Sequence, residues 1–460
     1  MKFRSDALEI DSQKPFAGDA LERRPLVEFL EGVISKAEGP LVMALDSPWG
    51  TGKTTLVKML QAQLEAKQIR CIYFNAWSVD FSSDPLMALV SKIDLLGKDA
   101  APQAQMRMKK LKSIATLVGK RGLIAAIKAS TLGALDLEKE IEAAIAQGTG
   151  DATSELFDLV TKEGECLNKF REELEAVVGE LRKDDEKGNL VFFIDELDRC
   201  RPNFAIELLE RIKHLFDVPN IVFVLSIDKS QLEVSTSSVY GTGINAREYL
   251  RRFIDLEFQV PQIFGRTFVK HLFLRFGLDT IFAQRVNELR SDMSNFVEAF
   301  WFLAKATQLS LRTQENCIAR LALVMEQTPA NYYLHPVLAA TLLVVRSINS
   351  KLYSQIRSGV ASSEDVMDWL RSLAGQSALR DRTAIAIESY MSAADPNEAR
   401  RALRRQRLEA IANNAAADSG DRTHAAEVLQ FTGYLTGQFN GAPRLDHLLN
   451  KMDLAENLQT

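Results

Sequence analysis

The chain is 460 residues long, 46% apolar and 25% charged, with a net charge of −5. This composition is ordinary for a globular protein and excludes collagen-like, disordered and disulfide-scaffold classes. The slight acidic excess argues against a chain-wide basic surface for nucleic acid, and the length predicts two or three domains that bury a core without metal or disulfide support.

The stretch up to Arg24 is polar and mixed, without the apolar run of a secretory leader. Helical spacing covers Pro25–Lys36. Leu41–Leu45 is a short apolar run between Gly39-Pro40 and a glycine-rich turn, which predicts a buried strand. Thr54–Lys67 has helical periodicity, and Cys71–Phe74 reads as a second strand. Ala101–Lys187 is rich in Ala, Leu, Glu and Lys and predicts a long helical stretch, with soft breaks at Gly119, Gly133 and Gly148–Gly150. Leu190–Ile194, Ile221–Leu225 and Phe253–Val260 read as the third, fourth and fifth strands, and Gln262–Thr460 as helical throughout. Strands alternating with helices predict an α/β fold with a parallel sheet. The expected divisions are 1–96 (N-terminal segment and first half of the α/β core), 97–188 (helical insertion), 189–261 (second half of the core) and 262–460 (an all-α lid or C-terminal domain).

A membrane-spanning helix needs about 20 mainly apolar residues. Ile114–Leu137 is interrupted by Lys120, Arg121 and Lys128, and Pro336–Val345 is too short and is followed by Arg346. Both read as buried or interfacial helices, so no membrane association is expected. Cys71, Cys166, Cys200 and Cys317 are widely spaced, which suits reduced thiols in a cytoplasmic protein. The five histidines are equally scattered, with no metal-ligand spacing.

The strongest chemical signal is Ser47-Pro48-Trp49-Gly50-Thr51-Gly52-Lys53-Thr54, directly after a strand and opening a helix. This is a phosphate-binding P-loop in its required context: backbone N–H groups line a concavity and the helix N-terminus favours negative charge. Lys53 is expected to reach the β- and γ-phosphates of ATP, and the Thr54 hydroxyl to ligate Mg²⁺. Ser47 stands where the motif has its first glycine. The cofactor-binding segment is taken to run from Ser47 through Thr55.

The second signal is Leu190–Pro202, whose apolar run ends in Asp195-Glu196. A buried strand delivers Asp195 at its C-terminal tip, where open α/β sheets bind ligands. Asp195 is expected to hold Mg²⁺ and Glu196 to act as the general base on the attacking water. A third, weaker signal is the exit of the fourth strand, where Ser226 and Asp228 are candidate sensors of the γ-phosphate. Arg247, Arg251, Arg252 and Arg312 are candidate charge stabilisers, as arginine fingers in cis or in trans. Arg400, Arg404 and Arg407 share one helix face. They read either as a patch for nucleic acid or an acidic protein, or as a solvated face balanced by Glu398 and Glu409.

WGTGKTT, YFNAW (Tyr73–Trp77) and FFIDELDRCRP together resemble the KAP family of P-loop NTPases. Asp19–Arg23, VFVLSIDKSQL, REYLRRFIDLEFQVP, LSLRTQE and VVRSINSKLY extend the resemblance from Asp19 to Tyr353. It implies the additional-strand, catalytic-glutamate fold with strand order 5-1-4-3-2, a helical lid, and Mg-ATP binding and hydrolysis. It also implies that Asp19 and Arg23 correspond to a base-contacting segment, and that Asp198 and Arg199 pair within the Asp195 turn. Asn75 and Trp77 end the second strand near that turn, with Trp77 as a packing residue. Family members often carry transmembrane helices between the P-loop and the acidic strand, whereas this sequence resembles a soluble member. Bacterial members are frequently associated with anti-phage defence, which adds partner proteins to the expectation. Homo-oligomerisation, a nucleotide-binding scaffold with little hydrolysis, and a nucleic-acid-stimulated ATPase remain open at this point.

Overall fold

The computed structural model describes residues 10–81, 84–97, 102–131, 167–181, 189–286, 289, 291–375, 379–438 and 443–453. The chain divides into two compact units, one running to Pro261 and the second from Gln262 onward.

In the first unit α1 (Arg24–Ser35) is followed by β1 (Leu41–Asp46), α2 (Lys53–Ala66) and β2 (Cys71–Asn75). Then come α3 (Pro85–Gly97), α4 (Pro102–Thr131) and α5 (167–181). β3 (Leu190–Asp195), α6 (Pro202–Leu215), β4 (Ile221–Ile227), α7 (Lys229–Tyr240), α8 (Ala246–Leu250) and β5 (Leu256–Gln259) complete it. The five strands are all parallel, in the order β2-β3-β4-β1-β5. Read from the other edge this is 5-1-4-3-2, the order the family resemblance implies.

The near-continuous apolar runs of the central strands follow from burial on both faces. Met43, Leu45, Val191, Phe193, Val222 and Val224 face one way and join α1 and α2. Their alternates Val42, Ala44, Phe192, Ile194, Phe223 and Leu225 face the other way and join α3 to α6. Phe192 and Phe223 stack across β3 and β4 with ring centroids 4.8 Å apart.

Two local expectations shift. Gly119 does not break α4, which runs unbroken past it, since an isolated helical glycine costs only about 1 kcal/mol against alanine. Gly133 and Gly148–Gly150 lie outside the described residues, as do Cys166 and the end of the Ile114–Leu137 stretch. The fifth strand is shorter than the apolar pattern implies. Phe253 closes a turn onto Leu250, and Asp255 brackets the start of β1, donating its N–H to the Val42 carbonyl and accepting the Val42 N–H at its carboxylate.

In the second unit all described elements are helices: α9 (Arg266–Arg275), α10 (Leu278–Ala283), α11 (Asp292–Ala306), α12 (Leu311–Glu326), α13 (Pro336–Ile348), α14 (Ser350–Arg357), α15 (Ser363–Ala374), α16 (Arg382–Ala394), α17 (Glu398–Asn413), α18 (Ser419–Gln438) and α19 (Leu445–Asp453). α13 is buried from Pro336 through Val345 and forms the centre of the unit's core. Among the described residues no helix is long and apolar enough to cross a membrane.

Candidate functional site

In a parallel sheet all strands end at one edge, and the chemistry-bearing residues gather there. The register places Leu45, Ser226, Asp195 and Asn75 side by side across β1, β4, β3 and β2. β4 therefore lies between the strand that feeds the glycine-rich loop and the strand that carries Asp195.

The loop leaves β1 through Ser47, whose N–H donates to the Ile227 carbonyl at 3.1 Å. Ser47 and Thr51 are both buried and their hydroxyls are hydrogen-bonded to each other. The Thr51 hydroxyl also reaches the Pro48 carbonyl at 2.9 Å. The serine that stands at the motif's first glycine thus joins the two ends of the loop through its hydroxyl. Gly50 and Gly52 have φ of 79° and 82°, left-handed backbone in which a side chain would be strained. α2 opens immediately afterwards, with no side-chain cap and no acid in its first turn, so its N-terminal field is directed at the concavity. Thr54 and Thr55 are its second and third residues.

The Lys53 ammonium is held against the carbonyls of Ser47 and Pro48. Burial lowers its pKa, while the charges of Asp198, Asp228, Asp195 and Asp46 oppose that shift. One cation thus sits within the field of four carboxylates.

Asp195 is 2% exposed. Its Oδ1 accepts from the Ser226 hydroxyl at 2.8 Å and from the Glu196 N–H at 3.0 Å, and its Oδ2 accepts from the Tyr73 hydroxyl at 2.8 Å. Burial and the Asp195 charge push the Tyr73 phenol's pKa up, so Tyr73 remains a donor. Glu196 follows in left-handed backbone at φ 62°, and its carboxylate pairs with Arg199 at 2.6 Å. Asp198 does not pair with Arg199 as the resemblance implied. It accepts the indole N–H of Trp49 instead, and burial raises its pKa against the opposing effects of Trp49 and Lys53.

A model of the KAP family P-loop domain matches residues 23–328. The chain belongs to the KAP family. Among solved structures, this KAP chain is similar to the Aeropyrum pernix ORC2 protein at 15% identity, covering 95% of each chain with a TM-score of 0.34. It is similar to C. elegans PCH-2 at 14% identity, over 72% of this chain and 69% of that one, with a TM-score of 0.31. DnaA from Aquifex aeolicus shares 11% identity over 80% of this chain and 98% of its own, with a TM-score of 0.24. Likenesses this distant carry no functional weight. No curated protein matches the chain.

Other residues of the KAP chain are placed differently from their sequence-based roles. Arg23 is buried, and it donates to the loop carbonyls of Gly52 at 2.7 Å and Thr51 at 2.5 Å. That is a support beneath the loop, not a surface open to a base. Asp19 accepts the Arg24 N–H at 2.9 Å. Asp228 caps α7, accepting from Gln231 N at 3.4 Å and from the Ser230 hydroxyl at 2.6 Å. Of the two sensor candidates, Ser226 is thus the one brought to Asp195. Trp77 is 55% exposed.

Arg247, Arg251 and Arg252 precede β5, whose Leu256 pairs with Met43 near the start of β1. They therefore lie at the opposite edge of the sheet from the loop that follows Asp46, and the structure does not bring them together with it. Arg251 pairs with Glu248 at 2.6 Å, and Arg252 lies over the Tyr249 ring. Arg312 belongs to the second unit, in the first turn of α12, which Ser310 caps.

The arginines of the Arg400 cluster meet carboxylates other than Glu398 and Glu409. Arg400 pairs with Asp395 at 2.7 Å, Arg404 with Glu364 at 2.6 Å and also with Glu388, and Arg407 with Glu364 at 2.7 Å. These guanidiniums pair with carboxylates within their own unit, while the Arg407 side chain stays 53% exposed. Cys71, Cys200 and Cys317 are free and buried.

Two contributors escaped the sequence reading. Tyr73 enters the sequence reading only within the YFNAW motif, and Asp46, one residue past the expected strand Leu41–Leu45, does not enter it. Asp46 accepts the Lys229 N–H at 2.8 Å and the Gln259 side-chain amide at 2.6 Å, tying β1, β4 and β5 together at the loop's base.

Proposed function

We propose that this KAP protein binds Mg-ATP and hydrolyses it, with Lys53 and the loop amides on the phosphates, Thr54 and Asp195 on the metal, and Glu196 as the general base. The observation that carries this reading is the line Leu45–Ser226–Asp195 across the sheet, which delivers the loop and the acidic turn to one edge. Membership of a P-loop NTPase family supports nucleotide binding in the same place.

The donor set fits the metal. Thr54 and Asp195 offer oxygen only, as a hard cation requires, and the four carboxylates acting on Lys53 leave an acidic excess there. Among the described residues no group of three or more His, Cys, Asp or Glu side chains could hold a metal alone. That agrees with Mg²⁺, which is commonly held by one or two protein oxygens together with phosphate and water. When bound, the ion neutralises phosphate charge. The chain's own residues do the rest. Lys53 exchanges the Ser47 and Pro48 carbonyls for phosphate oxygens, Ser226 and Tyr73 hold Asp195, and Glu196 leaves Arg199 to take the proton of the attacking water.

In this reading the protein is a cytoplasmic switch. Nucleotide state changes the disposition of its helical domain, residues 262–460, and that change regulates partner proteins, with anti-phage defence as the setting the family suggests. Arg247, Arg251 and Arg252 would act only in trans, from a second copy, and Arg312 from the helical domain. Steady-state hydrolysis of ATP and GTP, with and without DNA, tests the proposal. Turnover of ATP alone supports it. Tight binding without turnover makes the protein a nucleotide-dependent scaffold, and strong salt-sensitive stimulation by DNA makes it a remodeller.

A further inference from the structure

The position of Arg23 assigns it a role that its place in the sequence does not. Its two terminal nitrogens donate to the carbonyls of Thr51 and Gly52. A trans peptide is planar, and its C=O and N–H point in opposite directions. No cis peptide occurs among the described residues. The Thr51 carbonyl shares its plane with the Gly52 amide, and the Gly52 carbonyl with the Lys53 amide. Drawing both carbonyls toward the guanidinium therefore turns the Gly52 and Lys53 amides away from it, at the point where α2 begins. The Gly52 carbonyl also receives the helical bond from Leu56 N at 3.1 Å. Arg23 thus ties loop and helix start to the segment that precedes α1.

That segment is shaped for the purpose. Glu22 adopts left-handed backbone at φ 55°, a conformation that is strained for a non-glycine residue and persists where the surroundings enforce it. The turn it makes directs the next residue inward, and Asp19 secures it by accepting the Arg24 N–H. Burial lowers the Arg23 pKa to about 10, with Asp19 opposing the shift, so the guanidinium is charged at neutral pH.

We propose that Arg23 is a positioning residue for phosphate binding: it holds the loop in the form whose amides face the phosphates and does not itself touch the nucleotide. The inference rests on the nucleotide-binding reading above. A loop that occupies its competent form only part of the time binds with an affinity reduced by that fraction. Because the effect lies in the loop, it falls equally on any triphosphate ligand, whether or not a base is attached. A base contact would affect ATP only.

Calorimetric titration of the full chain with Mg-ATP and with magnesium tripolyphosphate separates these cases. Arg23→Met keeps much of the packing and removes both donors. It is expected to weaken both ligands by the same factor, at least about tenfold, as expected for loss of a charged hydrogen bond. Arg23→Lys keeps the charge but replaces the planar fork by a point donor, and is expected to stay several-fold weaker than the parent for both. If Arg23→Met fails to fold by circular dichroism, Arg23→Lys decides. Loss of ATP affinity alone, full rescue by lysine, or a lowered melting temperature with unchanged affinities would each overturn the proposal. So would a parent that binds ATP but not tripolyphosphate. A parent that binds neither ligand sinks the nucleotide-binding reading itself, whereas a parent and Arg23→Met that bind both alike sink this inference alone.

Discussion

Arg199 Nε lies 2.6 Å from Glu196 Oε2, and a single 3₁₀ turn, Leu197–Arg199, connects the two residues. The Arg199 guanidinium also lies over the Trp49 ring at 5.9 Å, and the Trp49 indole donates to Asp198. The loop tip and the acidic turn are therefore one linked set. In the proposed reaction Glu196 exchanges Arg199 for water, while Asp195, bonded on both oxygens, stays in place.

Glu196→Gln keeps the shape of the side chain and removes the base. Hydrolysis is expected to fall by about 10²–10⁴-fold, with Mg-ATP binding retained. Asp195→Asn is expected to impair Mg²⁺-dependent binding instead. Single-turnover kinetics alongside equilibrium binding distinguish the two, and exchanged phenotypes would reverse the roles.

Lys53→Ala removes the ammonium held at the loop's opening carbonyls. ATP affinity is expected to drop by at least about tenfold, the effect of one charge-assisted bond, and turnover to vanish. Parent-like binding in a filter or fluorescence assay would rule out the phosphate-loop assignment.

Tyr73→Phe removes the donor to Asp195 Oδ2. A buried acceptor left unsatisfied costs about 1–3 kcal/mol, measurable by urea unfolding. The variant is also expected to need more Mg²⁺ for half-maximal binding, because Asp195 loses one of its three hydrogen-bond donors and the only one on Oδ2 among them. An unchanged Mg²⁺ titration would limit Tyr73 to packing.

In the second unit, burial lowers the His335 pKa to about 4. Its ring packs edge-on against Tyr333 at 4.5 Å and Tyr390 at 6.2 Å. The folded value lies below the unfolded one, about 6.5. The unfolded chain therefore binds more protons between the two, and stability falls as pH drops from 6.5 toward 4. At pH 5 the loss is on the order of 2 kcal/mol. His335→Phe is expected to flatten that part of the stability–pH curve, and a curve identical to the parent's would refute the assignment.

After lysis and ultracentrifugation at high salt, the full chain is expected in the supernatant. Lys120, Arg121 and Lys128 fall within the Ile114–Leu137 stretch, and a cation at the centre of a membrane helix costs about 2.5–3.5 kcal/mol on insertion scales. Recovery in the pellet, extractable only by detergent, would restore a membrane-anchored reading.

What the sequence determined by itself is local. The glycine-rich loop between a strand and a helix, the acidic pair ending an apolar run, and the alternation of strands and helices were legible because each depends on contiguous residues. Apolar spacing reports burial, and glycines at fixed offsets report left-handed backbone. What only the tertiary structure decided is which distant side chains meet. Tyr73 reaches Asp195 across 122 residues of chain, Ser226 across 31, and Arg23 reaches Gly52 across 29. Arg404 of α17 found carboxylates on α15 and α16, while the arginines before β5 fell at the sheet's far edge. Such pairings follow from strand order and register, which place residues by hydrogen bonding between strands remote in sequence. A one-residue change of register would turn Asp195 or Ser226 to the other face, and nothing in either residue's own neighbourhood records which register the sheet adopts.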